Sequence, residues 1–188
     1  MKKAALSLAI IAVSLSAQAQ TFSVTSTDMS EGKSLQIQQV YNGFGCEGGN
    51  QSPQLSWQGA PVGTKSFAIT AYDPDAPTGS GWWHWTVVNI SADTHQLATN
   101  AGQRTDIAST TQSALPKGAV QGRNDFGYAG FGGACPPAGD KPHHYQFTVW
   151  ALKTDKLPLD GNASGALVGF MLNSNVISKA RLVATYGR

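Results

Sequence analysis

Two short segments hold most of the side chains able to do chemistry. The first is Tyr72-Asp73-Pro74-Asp75-Ala76-Pro77, followed after a turn by Trp82-Trp83-His84-Trp85. The second is Pro142-His143-His144-Tyr145. They contain three of the four histidines and three of the five tryptophans of a chain that is only 13% charged. A carboxylate, two imidazoles, a phenol and indoles around one small space suit capture of an anion or polar head group. Imidazole and phenol donate hydrogen bonds, and aromatic walls exclude water. A carboxylate beside a histidine would fix its tautomer and favour its cationic form. Each residue also has a plainer role: Asp73 as a turn cap, His84 as a half-buried strand residue, the tryptophans as core. Their joint occurrence points to a site.

Strands must position these groups. Residues 66–73 alternate, with Phe67, Ile69, Ala71 and Asp73 facing one way. Residues 83–89 and 143–153 read as further strands. Alternation puts His143 and Tyr145 on one face and His144 on the other. It likewise sets Trp82, His84 and Thr86 against Trp83, Trp85 and Val87. Asp73 to Pro77 forms a constrained turn, because proline fixes its own φ and restricts the residue before it. A cis X-Pro bond there would rigidify Asp73. Residues 21–26 and 34–41 read as strands, and 118–142 as a long glycine- and proline-rich loop of the kind often tied to function. Ala166, Leu167, Phe170, Met171 and Leu172 suit a short amphipathic helix capped by Asn162 or Ser164. Residues 176–180 add a helical turn and 181–186 a last strand. The expected class is all-β dominated, an antiparallel sandwich or barrel with one or two small late helices.

The 188 residues suit one domain. Residues 1–19 read as an export signal: Lys2 and Lys3, an apolar run from Ala4 to Leu15, and Ala17-Gln18-Ala19 for cleavage. The apolar run falls short of the roughly 20 residues of a membrane span, so no integral span is expected. The expected mature domain is residues 20–188, placed in the periplasm or released outside the cell. The formal charge of +2 comes from Lys2 and Lys3; without them, 11 basic residues meet 11 acidic ones. A neutral, scattered charge pattern argues against nucleic acid as a partner. Cys46 and Cys135 are the two cysteines. In an oxidising compartment they favour a disulfide over two free thiols. No nucleophile elbow, phosphate-binding loop, dinucleotide fingerprint or paired-histidine metal helix is present. No cofactor and no metal site are expected.

Three groups of residues, taken together, resemble one family. They are Asp73-Pro74-Asp75-Ala76-Pro77; Trp82-x-His84 running into Val87-Val88-Asn89; and Cys135-Pro136-Pro137 followed by His143-x-Tyr145. In order and spacing they are similar to the phosphatidylethanolamine-binding protein family, also called the Raf kinase inhibitor protein family. The signal, the cysteine pair and the stretch Gly122-Arg123-Asn124-Asp125-Phe126-Gly127 resemble its periplasmic bacterial branch, the YbcL-type proteins. The resemblance implies two packed antiparallel sheets with small C-terminal helices. It implies a pocket for an anion or phosphate head group, built from Asp73, Trp82, His84, His143 and Tyr145. Pro74 and Pro136-Pro137 would form the rim, and Phe126, Tyr128 and Phe131 further walls. The chain departs from the family at His144, where an arginine is usual, and at Ala134, where many bacterial members have proline.

Three functions follow as expectations. The first is an exported binding or inhibitor module for a small anion or phosphorylated ligand, with a protein partner as a further option. The second is a hydrolase of small phosphoesters or esters using Asp73 and a histidine as an acid–base pair. The third is a secreted interaction factor with a vestigial pocket. A homodimer is compatible with all three.

Overall fold

The computed structural model describes residues 21–104 and 114–188, so the export signal expected over residues 1–19 lies outside the described residues. The strands are β1 (Ser23–Thr25), β2 (Asn42–Gly43), β3 (Cys46–Glu47), β4 (Leu55–Gln58), β5 (Ser66–Asp73), β6 (Trp82–Ser91), β7 (Gln96–Leu97), β8 (Val120–Gln121), β9 (His143–Leu152) and β10 (Val176–Tyr186). One α-helix, α1 (Gly165–Asn175), precedes β10.

Alternating apolar residues over 66–73 and 145–151 make β5 and β9 the centre of a five-stranded sheet, ordered β10-β9-β5-β6-β8. All its pairings are antiparallel. One face, with Phe67, Ile69, Val87, Phe147 and Val149, packs on Val24, Leu55, Trp57 and Leu97 of the three-stranded sheet β1-β4-β7. The other face, with Ala68, Val88, Trp150 and Leu152, packs on Val168 and Leu172 of α1. The expected β sandwich of two sheets is thus present, with α1 as a third layer.

Two bulges re-aim β6. Ala71 lies opposite Trp85 but Tyr72 opposite Trp83, so His84 is an extra residue in the ladder. Such an insertion bends the strand and breaks its alternation. Trp82, opposite Asp73, therefore shares a face with Trp85 and Val87, contrary to the strict alternation expected from sequence. The second bulge places Asn89 at φ +62°, where its amide spans the Leu157 backbone, donating to the carbonyl at 3.1 Å and accepting from the N–H at 2.7 Å.

Other expectations change. Residues 34–41 form no strand: after a bridge at Ser34 the chain takes a 3-10 turn over Ile37–Gln39 and bridges again at Val40. The turn carries the chain from β10, where Leu35 N–H meets the Thr185 carbonyl, to the Ala134 segment, where Tyr41 N–H meets the Ala134 carbonyl. Residues 176–180 extend β10 instead of adding a helical turn, because Val176 to Ala180 pair with β9 from Leu152 to Val149. In α1 the buried face is Gly165, Val168, Gly169 and Leu172, while Leu167 and Phe170 are exposed. The indole of Trp83 lies across the two glycines; a Cβ at Gly165 would sit 2.2 Å from it. Ser164 caps the helix by accepting from Leu167 N–H, and Asn162 does not. Among the described residues no peptide bond is cis.

Cys46 and Cys135 are bonded, tying β3 to the Pro136-Pro137 segment across a separation of 89 residues. The Arg188 guanidinium donates to the carbonyls of Pro136, Gly45 and Phe44 at 2.7, 2.8 and 3.3 Å. In the chain-entropy account a long closed loop is worth several kcal/mol. Replacing both cysteines by serine should lower the unfolding free energy in urea by about 2–5 kcal/mol. A loss below about 1 kcal/mol would mean that Arg188 alone holds the two segments together.

Candidate functional site

Asp73 ends β5 with 3% of its surface exposed, and a buried carboxylate must be paired. One oxygen accepts the Asp75 N–H at 2.8 Å, which closes the turn after the strand. The other accepts Nδ1–H of His143 at 2.7 Å, from neighbouring β9. The Nε2 of His143 lies 3.5 Å from the Asp140 carboxylate. His144 points the other way, as alternation requires, and its Nδ1 and backbone N–H both bond Asp75, at 2.7 and 2.8 Å. Burial alone would raise the Asp75 pKa, but these His144 bonds pull it below the ordinary carboxylate value. His144, standing where an arginine is usual in the resembled family, thus supports the turn from outside.

A second clamp sets His84. Continuing from β8, residues 122–133 run along the part of β6 that β8 does not reach. Asp125 N–H donates to the Trp83 carbonyl at 2.9 Å, and the Asp125 carboxylate accepts Trp83 N–H at 2.7 Å. Gly132 N–H donates to the His84 carbonyl at 2.9 Å, and His84 Nδ1 donates to the Gly132 carbonyl at 2.8 Å. A carbonyl only accepts, so Nδ1 carries the proton and Nε2 is bare in the neutral ring. The Asn124 side chain braces this loop by donating to the Gly130 carbonyl and accepting from Tyr128 N–H. Gly132 must be glycine: a Cβ there would fall 2.3 Å from the Phe126 ring.

These elements enclose a cavity of about 200 Å³. Asp73, Trp82, His84, His143, Tyr145 and the Pro136-Pro137 pair line it, as expected from sequence. Pro74 does not: it is exposed on the outside of the turn, and Pro77 takes the rim position. Phe126 forms a wall, 5.3 Å from the Trp82 ring and 5.5 Å from that of His84. Tyr128 and Phe131 are buried behind it and are not lining residues. The sequence reading missed Phe44, Ala76 and Thr78. Phe44 sits between β2 and β3 at φ +52°, 70% exposed, and reaches the rim through the disulfide two residues on. Its nearness to Cys46 was the available signal.

Three buried polar atoms on lining residues have no hydrogen-bond partner in the protein: Trp82 Nε1, His84 Nε2 and Tyr145 OH. Burial, reinforced by Asp73, pushes the Tyr145 phenol well above its ordinary pKa, so it stays protonated. No lysine or arginine is among the described lining residues. Together these atoms offer one obligatory donor, one donor–acceptor and one acceptor. No cluster of metal-binding side chains is found among the described residues.

The family described as Phosphatidylethanolamine-binding protein matches residues 25–187. The Escherichia coli protein YbcL is 61% identical over 99% of this chain and 98% of its own. YbhB of the same organism is 46% identical over 86% of this chain and 97% of its own. The solved structure of E. coli YbcL, described as a member of the mammalian PEBP family, superposes with a TM-score of 0.85 at 63% identity, covering 89% of this chain and 98% of that one.

Burial lowers the His84 pKa below the ordinary 6.5, against opposing pulls from the Gly132 carbonyl and Asp73. The unfolded chain takes up this proton near pH 6.5 and the folded chain only at lower pH. The stability that the neutral ring contributes is therefore complete above pH 6.5 and declines as pH falls below it. Ring NMR should find His84 neutral and Nδ1-protonated at pH 6.5 in the free protein. A ring already half-protonated there would contradict the burial account.

Proposed function

The chain belongs to the phosphatidylethanolamine-binding protein family, and from that premise we propose that it is an exported binding module whose cavity holds a small anion, a phosphate or phosphorylated head group. The observation that carries this reading is the set of three unpartnered polar atoms on residues that line one cavity. Leaving a buried polar group unsatisfied costs about 1–3 kcal/mol each, and a polar ligand group that pairs with these atoms would remove that cost. The apolar rim of Phe44, Pro77, Pro136 and Pro137 excludes water and is where a larger ligand or a protein partner would meet the filled cavity. Export is supported by the Cys46–Cys135 disulfide, since such bonds persist in oxidising compartments.

Binding is favoured over hydrolysis by the state of the lining nucleophiles. The Thr78 hydroxyl donates to the Gly81 carbonyl, Tyr145 is held protonated, and Cys135 is in a disulfide. None is hydrogen-bonded to a free base, the arrangement nucleophilic catalysis requires. Asp73 instead spends its oxygens on the turn and on His143, whose Nε2 lies 3.5 Å from the Asp140 carboxylate.

Tyr145→Phe and Trp82→Phe test the reading, the first removing the hydroxyl and the second the indole N–H. Each should weaken inorganic phosphate binding, read by calorimetry, by about tenfold or more, as for hydrogen bonds to charged groups. Unchanged affinity in both would refute the site. Phosphomonoester turnover by the wild type should equal that of His84→Ala; turnover that His84→Ala abolishes would favour the hydrolase instead.

A further inference from the structure

We infer that the cavity takes its ligand as an oxyacid that still carries a proton, best a phosphate monoester in its monoanionic form, in preference to a dianion or a phosphodiester. This rests on the reading of the cavity as an oxyanion site and narrows it.

The inference starts from the fixed tautomer of His84. Its Nδ1–H is committed to the Gly132 carbonyl, so the atom left for a ligand, Nε2, is a lone pair. A lone pair needs a donor. Trp82 Nε1–H and Tyr145 O–H need acceptors. One group that supplies a donor and two acceptors within a small space is an acid phosphoryl group, with one P–OH and two further oxygens. A dianion has no proton to give and would set an oxygen lone pair against that of Nε2.

Charge points the same way. The titratable groups facing His84 are Asp73 from β5, His143 and Tyr145 from β9, and Asp125 from the loop along the edge of β6. His143 is already committed between two carboxylates, Asp73 and Asp140. The nearby cation, Arg188, spends its guanidinium on rim carbonyls. The floor of the cavity therefore carries no surplus positive charge for a second negative charge to meet. Burial keeping His84 neutral agrees with this. The cavity, at about 200 Å³, also suits a compact head group.

Two probes separate the possibilities: methyl phosphate, whose second ionisation falls near pH 6, and dimethyl phosphate, a permanent monoanion without a proton. At about pH 6, with methyl phosphate counted as its monoanion, dimethyl phosphate should bind at least about tenfold more weakly by calorimetry, the loss of one good hydrogen bond. From pH 6 to pH 8 methyl phosphate should lose about fiftyfold in affinity, following its own ionisation. Equal affinities, or methyl phosphate binding that stays level to pH 8, would overturn the inference while leaving the oxyanion site intact. Absence of binding by either probe at millimolar concentration would overturn both readings. In His84→Gln, whose amide presents a donor as readily as an acceptor, the preference for methyl phosphate should disappear; its retention would overturn the assignment to His84.

Discussion

A carboxylate with almost no exposure to water is the constraint on which the site depends. Asp73 cannot remain buried unless both oxygens are occupied. Pairing it fixes two things at once. The bond from Asp75 N–H dictates the turn that carries Pro77 and Thr78 to the rim, and the bond from His143 ties β9 to the end of β5. Breaking a buried pair of this kind by removing one partner typically costs about 3–5 kcal/mol. The same carboxylate biases the cavity electrostatically. It adds to the burial that raises the Tyr145 pKa and leaves the floor short of positive charge. With no lysine or arginine among its described lining residues, the cavity could hold a polar ligand only through hydrogen bonds, and so through the direction in which each donor and acceptor points.

Direction is set on the opposite wall by backbone. His84 is displaced by a bulge, and its ring is locked by a carbonyl from a loop bonded to the edge of the same strand. Where β6 runs past the short β8, its outer edge would leave N–H and C=O groups free to pair. Here residues 122–133 occupy that edge and bring Phe126 against Trp82 and His84. The disulfide and Arg188 then hold the β2–β3 hairpin, with Phe44, against the Pro136 segment. Cavity shape therefore rests on contacts far apart in sequence, while its chemistry comes from three adjacent strands.

Much of this was legible beforehand. The Asp73 and His143-x-Tyr145 placements followed from strand alternation, which holds in β5 and β9 because neither strand takes an insertion of its own at those positions. The clustering of indoles, imidazoles and carboxylates brought in Trp82 and His84, and family resemblance narrowed a sandwich or barrel to two packed sheets. Alternation failed in β6, because no local signal in Trp82-Trp83-His84-Trp85 marks a bulge. Residues 34–41 alternate like a strand, yet Ile37 is exposed and Gln39 buried, since the turn serves tertiary connections. Pro74 was mistaken for a rim residue because its proximity to Asp73 in sequence says nothing of which side of the turn faces in. Phe44 reaches the rim through the disulfide two residues on, so its one sequence signal is its nearness to Cys46.

The most direct measurement is a crystal structure of the protein soaked with phosphate at about pH 6, where a phosphate monoanion is well populated. The expected result is one phosphate in the cavity, with separate oxygens within hydrogen-bond distance of Trp82 Nε1, His84 Nε2 and Tyr145 OH, and the His84–Gly132 bond intact. A cavity without the ion, or an ion bound with the His84 ring turned away from Gly132, would contradict the account.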